Sequence, residues 1–323
     1  MSKNILVTGG CGFVGHQLTE SLLDRGFNVT VVDIMWFGNF LKDHPNLTVI
    51  KEDIRNADKI PMQGIDVIFH LANIANDPCS DLNSKLNWEV NVLSTMQLVE
   101  RAIENNVSQF TFASSGSVYG VKEENEVTEE LSLVPISDYN KTKMISERVL
   151  LSYADRINVQ CIRPATVCGY SPRMRLDLSV NMLTMQALVN MKITVFGGNQ
   201  TRPNIHIKDL VRVYNHFLDT GDKNQGVYNA GFENISILDI ANRVVKNVPA
   251  EIIVSESNDP RSYRLSSKKL LDTGFEQKHK VEDGIKDVIT AYNSGSLKME
   301  DKYFNIKTMN RLCKEGVIQD ESA

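Results

Sequence analysis

Asn4-Ile5-Leu6-Val7-Thr8-Gly9-Gly10-Cys11-Gly12-Phe13-Val14-Gly15 decides the fold of this chain. Asn4–Val7 reads as a strand, and Gly12–Leu23 continues with helical spacing. Between them runs Gly9-x-x-Gly12-x-x-Gly15. A strand, a glycine turn and a helix in that order form the context in which such glycines hold a dinucleotide. Gly9 permits the tight turn, Gly12 lets backbone N–H groups reach a pyrophosphate, and Gly15 lets the helix pack closely on the strand. The positive end of the helix then faces the phosphates.

The pattern repeats outward. Asn28–Asp33 is a second strand, and Leu47–Ile50, Asp66–Leu71, Gln109–Ala113 and Val159–Ile162 are further ones. Helical patterns fill Leu82–Asn105 and Ile136–Tyr153. Apolar strands alternating with helices predict an α/β fold with a doubly wound parallel sheet. Asp33 ends the second strand, where a carboxylate bonds the adenosine ribose hydroxyls. Neither Arg nor Lys occurs at Ile34, Met35, Trp36 or Phe37, so nothing local invites a 2′-phosphate, and NAD is expected over NADP. Asp53-Ile54-Arg55 follows the third strand, where Asp53 reads either as a solvated loop carboxylate or as a group at the adenine edge.

The chain has 323 residues and 42% hydrophobic content, enough for one large domain with a smaller lobe. Its formal charge of −5 argues against nucleic acid as a main partner. No run approaches the length of a membrane span, and Met1–Val7 has no signal-peptide layout. The cysteines, Cys11, Cys79, Cys161, Cys168 and Cys313, are scattered, as suits reduced thiols in a cytoplasm. The six histidines show no metal spacing, so no metal is expected.

After Arg163 the rhythm changes. Tyr170–Leu178 reads as a loop, Asn181–Asn190 as a helix, Gly197–Thr201 as a turn, and Asp209–Leu218 as a helix. Gly226–Ala230 reads as a late strand. Ser236–Val248, with Ser236 as N-cap, and Val281–Tyr292 are helices flanking a strand at Glu251–Val254. Residues 1–165, with 203–230 returning, are expected to form the dinucleotide domain. Residues 166–202 and 231–296 are expected to form a substrate lobe, and 297–323 a tail without a readable role.

Ser114-Ser115-Gly116-Ser117 follows the strand Gln109–Ala113. Ligands sit at the carboxyl ends of parallel strands. Ser115 is therefore placed to bond a reacting oxygen, with Tyr139 exchanging its proton. Tyr139 and Lys143 share a helix face at i and i+4. A tyrosine titrates near 10, so a base at neutral pH needs roughly 4 kcal/mol of help, which a nearby cation such as Lys143 supplies in sign.

Together with His70-Leu71-Ala72-Asn73, Arg163-Pro164-Ala165 and His206-Ile207-Lys208-Asp209, these motifs resemble the extended short-chain dehydrogenase/reductases of the NAD-dependent nucleotide-sugar epimerase/dehydratase family. The resemblance covers nearly all of residues 3–295. It implies Ser115, Tyr139 and Lys143 as the catalytic set, with Lys143 also on the nicotinamide ribose. It implies NAD contacts from Gly9, Gly12, Phe13, Val14, Gly15, Asp33, Ile34, Asp53, Ile54, Leu71, Ala72, Asn73, Ser114 and Pro164, and support from Asn91. His206 is expected to be structural.

The stretch Ser171–Asn181 resembles the substrate loop of a subgroup containing bacterial surface-sugar epimerases and a GDP-heptose 4-dehydrogenase. Ser117, Thr166, Arg173, Arg175, Asn181, Arg202 and Arg261 are accordingly expected on a nucleotide-sugar substrate. Arg suits a diphosphate because it binds bidentately. A homodimer through the two long helices is implied. Two positions depart from the family pattern. Sugar 4,6-dehydratases carry Asp-Glu after the catalytic hydroxyl residue, whereas Gly116 and Ser117 stand here, which disfavours dehydration. Asn73 replaces a glycine of many relatives, with the loop Ile74–Pro78 expected to tilt over the nicotinamide.

Overall fold

A computed structural model describes residues 2–256 and 262–318. Arg261 lies outside the described residues. The central sheet contains β1 (Asn4–Thr8), β2 (Asn28–Asp33), β3 (Leu47–Lys51), β4 (Val67–His70), β5 (Gln109–Ala113) and β6 (Asn158–Pro164). The lobe adds β7 (Thr166–Cys168), β8 (Lys192–Phe196) and β9 (Thr201–His206). Next come β10 (Gly226–Ala230), β11 (Glu233–Ser236) and β12 (Glu251–Ser255).

Seven parallel strands form the main sheet in the order β10-β6-β5-β4-β1-β2-β3. The order reverses at β1, which pairs with both β2 and β4. That reversal opens a crevice at the carboxyl ends, where doubly wound sheets bind ligands. Strand alternation explains the two cores: Ile5 and Val7 join one apolar layer and Leu6 the other. All three are fully buried.

The second strong helix starts at Asp138 rather than Ile136, because Ser137 caps it by accepting from the Asn140 N–H. The helix expected over Leu82–Asn105 is corrected. It runs as Ser84–Trp88, one π turn at Glu89–Leu93, and Ser94–Glu104. Hydroxyls compete for carbonyls within this stretch. Asn91 O accepts from Thr95 Oγ1 and Ser146 Oγ, both at 2.7 Å, and Glu89 O from Ser94 Oγ at 3.0 Å.

In the lobe, β11-β9-β7 and β12-β8 form two small sheets. The sequence reading found β12 but not β7, β8, β9 or β11. In β9, Thr201-Arg202-Pro203-Asn204-Ile205-His206 is polar yet mostly buried, so alternation gives no signal. Ser236 does cap its helix, accepting from Asp239 N at 3.0 Å. The stretch from Leu297 is not a loose appendage: a helix at Asn305–Lys314 puts Met309 and Leu312 into the core beside the sheet. Its apolar spacing, Ile306, Met309 and Leu312, was the overlooked signal.

His70 at the end of β4 is fully enclosed, with Nδ1 2.6 Å from Thr8 Oγ1 and Nε2 2.9 Å from Thr95 Oγ1. Burial, then the Lys143 charge, push its pKa down to about 3. The unfolded ring takes a proton near 6.5. Between those values the unfolded state binds the extra proton, so stability falls as pH drops through that window. The loss should approach about 1.4 kcal/mol per pH unit. Urea unfolding at about pH 7 and about pH 5 should show this drop, and His70→Asn should flatten it. An equally steep drop in the variant would rule His70 out as its source.

Candidate active site

A cavity of about 700 Å³ opens at the carboxyl ends of β1, β4 and β5. Every site residue expected from sequence lines it except Asn91, Asn181 and Arg261. Arg261 is the one outside the described residues. The other two stand off the cavity wall. Asn91 lies beneath the cavity, and its amide is fully used. It accepts from Ile74 N at 2.9 Å and donates to Asn87 Oδ1 at 2.7 Å and Thr142 Oγ1 at 3.1 Å. Asn181 is buried holding the chain turn, accepting from Gly169 N at 3.0 Å and donating to Arg175 O at 3.1 Å.

The glycine turn is built to the tolerance of a missing side chain. Gly9 has φ +74°, and a Cβ there would stand 2.6 Å from Ala72 N. A Cβ at Gly15 would run into the Gly9 carbonyl. The helix Phe13–Asp24 starts at this turn with its first N–H groups lacking intrahelical acceptors. Asp33 accepts from Cys11 N at 3.0 Å with one oxygen and from Met35 N at 2.7 Å with the other. Each oxygen keeps a lone pair for a diol. Burial raises the Asp33 pKa, opposed by those two amides and by Arg173.

Arg173 is a cation the local sequence around Asp33 does not show. Its guanidinium lies 4.2 Å over the Phe37 ring and donates to Asn305 Oδ1 at 2.6 Å. The C-terminal helix thus reaches the cofactor end, and Asn305, Ile306 and Met309 line the cavity. Burial pushes the Arg173 pKa down to about 9. Arg173 Nε and Asn73 Oδ1 are buried without hydrogen-bond partners. The side chain of Asn73 turns back, donating to Leu71 O at 2.7 Å. The cradle, the Asp33 carboxylate and these orphaned atoms fit a dinucleotide.

At the reacting end, Ser115 Oγ lies 2.7 Å from Ser117 Oγ, and Ser117 in turn donates to Asn140. Ser115 is thereby oriented by the helix Asp138–Leu151. Burial pushes the Tyr139 pKa up to about 12, while Arg175 and a hydrogen bond with Ser115 pull it down. Asp77 acts in the opposite sense to Arg175. Lys143 Nζ lies 5.9 Å from the Tyr139 ring centre, donates to Ala113 O at 2.7 Å, and sits 4.7 Å over Phe112. Burial lowers its own pKa to about 7, opposed by Glu147. Two Lys143 N–H groups remain for another acceptor. His206 ends β9, caps the helix Ile207–Thr220 and lies 3.2 Å from Asp287.

Residues 5–231 match the NAD dependent epimerase/dehydratase family. The uncharacterized UDP-glucose epimerase YtcB of Bacillus subtilis is 36% identical over 222 residues, 64% of this chain and 70% of that protein. A UDP-glucose 4-epimerase of Lactobacillus helveticus is 26% identical over 330 residues, 92% of this chain and 99% of that protein. Among solved structures, the UDP-glucuronic acid 4-epimerase from Bacillus cereus in complex with UDP-glucuronic acid and NAD aligns with a TM-score of 0.78. It is 27% identical and covers 90% of this chain and 99% of that one.

Gly15→Ala should reduce NAD affinity by about tenfold or more, because the turn must open to admit the methyl group. Calorimetric titration of NAD measures this. Unchanged affinity in a folded variant would contradict the packing argument.

Proposed function

The chain belongs to the NAD dependent epimerase/dehydratase family, and we propose that this NAD-dependent nucleotide-sugar enzyme inverts C4 of its sugar. One observation carries the reading. Ser115, Tyr139 and Lys143 meet in the cavity that holds the glycine cradle, while Gly116 and Ser117 leave no carboxyl pair after Ser115.

Bound NAD supplies a hydride acceptor that can also return the hydride. Ser115 Oγ holds the sugar 4-oxygen, and Tyr139, as phenolate, takes its proton. Lys143, anchored on Ala113, would hold the nicotinamide ribose with its remaining N–H groups. The 4-keto sugar then turns in the cavity. Tyr139 gives the proton back when C4 receives hydride on its other face. Arg202 lines the cavity and suits the diphosphate.

Several finer expectations go with this reading. The sugar product serves surface-carbohydrate synthesis in the cytoplasm. No helix among the described residues is long and apolar enough to cross a membrane. A homodimer forms through Ser84–Glu104 and Asp138–Leu151, where Trp88 and Leu93 are exposed.

Incubation with UDP- and GDP-hexoses, followed by NMR at C4, should show inversion for one of them. Tyr139→Phe should lower kcat by about a hundredfold or more. A keto sugar accumulating with net NADH would instead identify a C4 dehydrogenase. No inversion across the panel would end the proposal.

A further inference from the structure

The C-terminal stretch is tied both to the segment 171–181 and to the cofactor end. Leu176 N donates to Tyr303 O at 2.8 Å, and Arg173 Nη2 donates to Asn305 Oδ1 at 2.6 Å. Met174, Leu176 and Tyr303 are buried in one apolar cluster with Phe13, the first residue of the helix that starts at the glycine turn. The helix Asn305–Lys314 puts Met309 into a second cluster, against which Trp36, Phe37 and Ile306 pack. Phe37 stands four positions after Asp33, and the Arg173 guanidinium lies 4.2 Å from its ring centre. Arg173 is 3% exposed. An arginine carries five N–H donors. Here one goes to Asn305 and one to Met174 O at 3.1 Å, while Nε is buried with no partner among the described residues. Arg173, Asn305, Asp33 and Phe37 line one cavity together with Ile306 and Met309.

We infer that Arg173 binds the cofactor rather than the sugar nucleotide, and that Asn305 and Phe37 hold it as a clasp on the adenosine diphosphate half of NAD. Both oxygens that Arg173 bonds are uncharged. A buried guanidinium so placed lacks a counter-charge in contact, and a buried charge is costly until it is paired. A diphosphate supplies that charge and takes arginine donors in pairs. The stack on Phe37 and the bond to Asn305 fix the guanidinium before the anion arrives, so little side-chain freedom is left to lose. Its surroundings mark which diphosphate this is. Phe37 belongs to the chain just after the ribose-binding Asp33, and the neighbouring Met174 packs in the cluster of Phe13 at the glycine cradle. The clasp depends on NAD occupying the cavity and not on which sugar is turned over. Asn305 lies beyond residues 5–231, which match the family, and it makes the C-terminal helix a wall of the cofactor site. A cofactor clasped here stays in place between the two hydride steps that an inversion requires.

Two titrations of the full chain separate the assignments: NADH followed by its fluorescence, and UDP followed by calorimetry. Arg173→Met keeps the length of the side chain and removes its donors. It should raise the Kd for NADH about tenfold and leave that for UDP within about twofold. Asn305→Ala leaves Arg173 in place but frees its end, and should weaken NADH in the same direction by about threefold. It carries the test if Arg173→Met does not fold, which circular dichroism decides. Weaker UDP binding with NADH unchanged would return Arg173 to the substrate and overturn the inference. So would unchanged NADH affinity in the folded variants. Neither titration involves turnover, so a chain that inverts no hexose would end the proposed function without touching this result.

Discussion

The buried ion pair between Glu147 and Arg163 holds the reacting end together. Their closest approach is 2.6 Å, with side chains 1% and 4% exposed. Removing two charges from water costs several kcal/mol each, which only complete hydrogen bonding offsets. Here it is complete. Glu147 receives two bonds from Arg163 and one from Ser114, and Arg163 also donates to Tyr119, whose hydroxyl donates to Asn229. The pair therefore ties the helix of Tyr139 and Lys143 to β6, to the serine turn after β5, and to β10. Breaking it leaves an unpaired buried charge, at a typical cost of about 3–5 kcal/mol. Glu147 also favours the charged form of Lys143, which burial disfavours.

A second constraint comes from below the cavity. Asn91 bonds the backbone of Ile74 and the hydroxyl of Thr142, so one amide fixes both the loop over the cavity and the catalytic helix. The π turn at Glu89–Leu93 carries this side chain. π turns recur at functional sites because they re-aim one residue without ending a helix. The same economy governs the lobe, where Asn181 spends its amide on Gly169 and Arg175 rather than on a ligand.

What was legible in the sequence is what depends on neighbours along the chain. Gly9, Gly12 and Gly15 are constrained by contacts within their own strand–turn–helix unit, and Tyr139 and Lys143 by one helix face. Their places in the cavity were therefore readable. Contacts between distant segments were not readable. Arg173 meets Asn305, 132 positions away, and Asn76 meets Asp177, 101 positions away. No local pattern records such pairs. Asn181 suits a ligand by type and place, whereas the fold engages it with the Gly169 N–H and the Arg175 carbonyl. Spacing at i and i+4 puts two residues on one face but does not say where a flexible ammonium points, and Ala113 O decides that.

The placement of charge around Tyr139 bears on how one site performs a reversible reaction. On the proposed reading, inversion requires the same hydroxyl to take a proton and give it back in one turnover. A base made too strong keeps the proton, and one too weak never takes it. Burial, the largest cause, holds Tyr139 up at about 12 even with the Arg175 charge and the Ser115 hydrogen bond opposing it, and Asp77 adds to the rise. Because Arg175 is itself neutralised by Asp177, the cation is partial rather than full. A full charge beside the phenolate suits one-way oxidation, in which the proton leaves for solvent. A charge shared with a carboxylate suits the return, and Arg175 with Asp177 lines the cavity that also holds Tyr139.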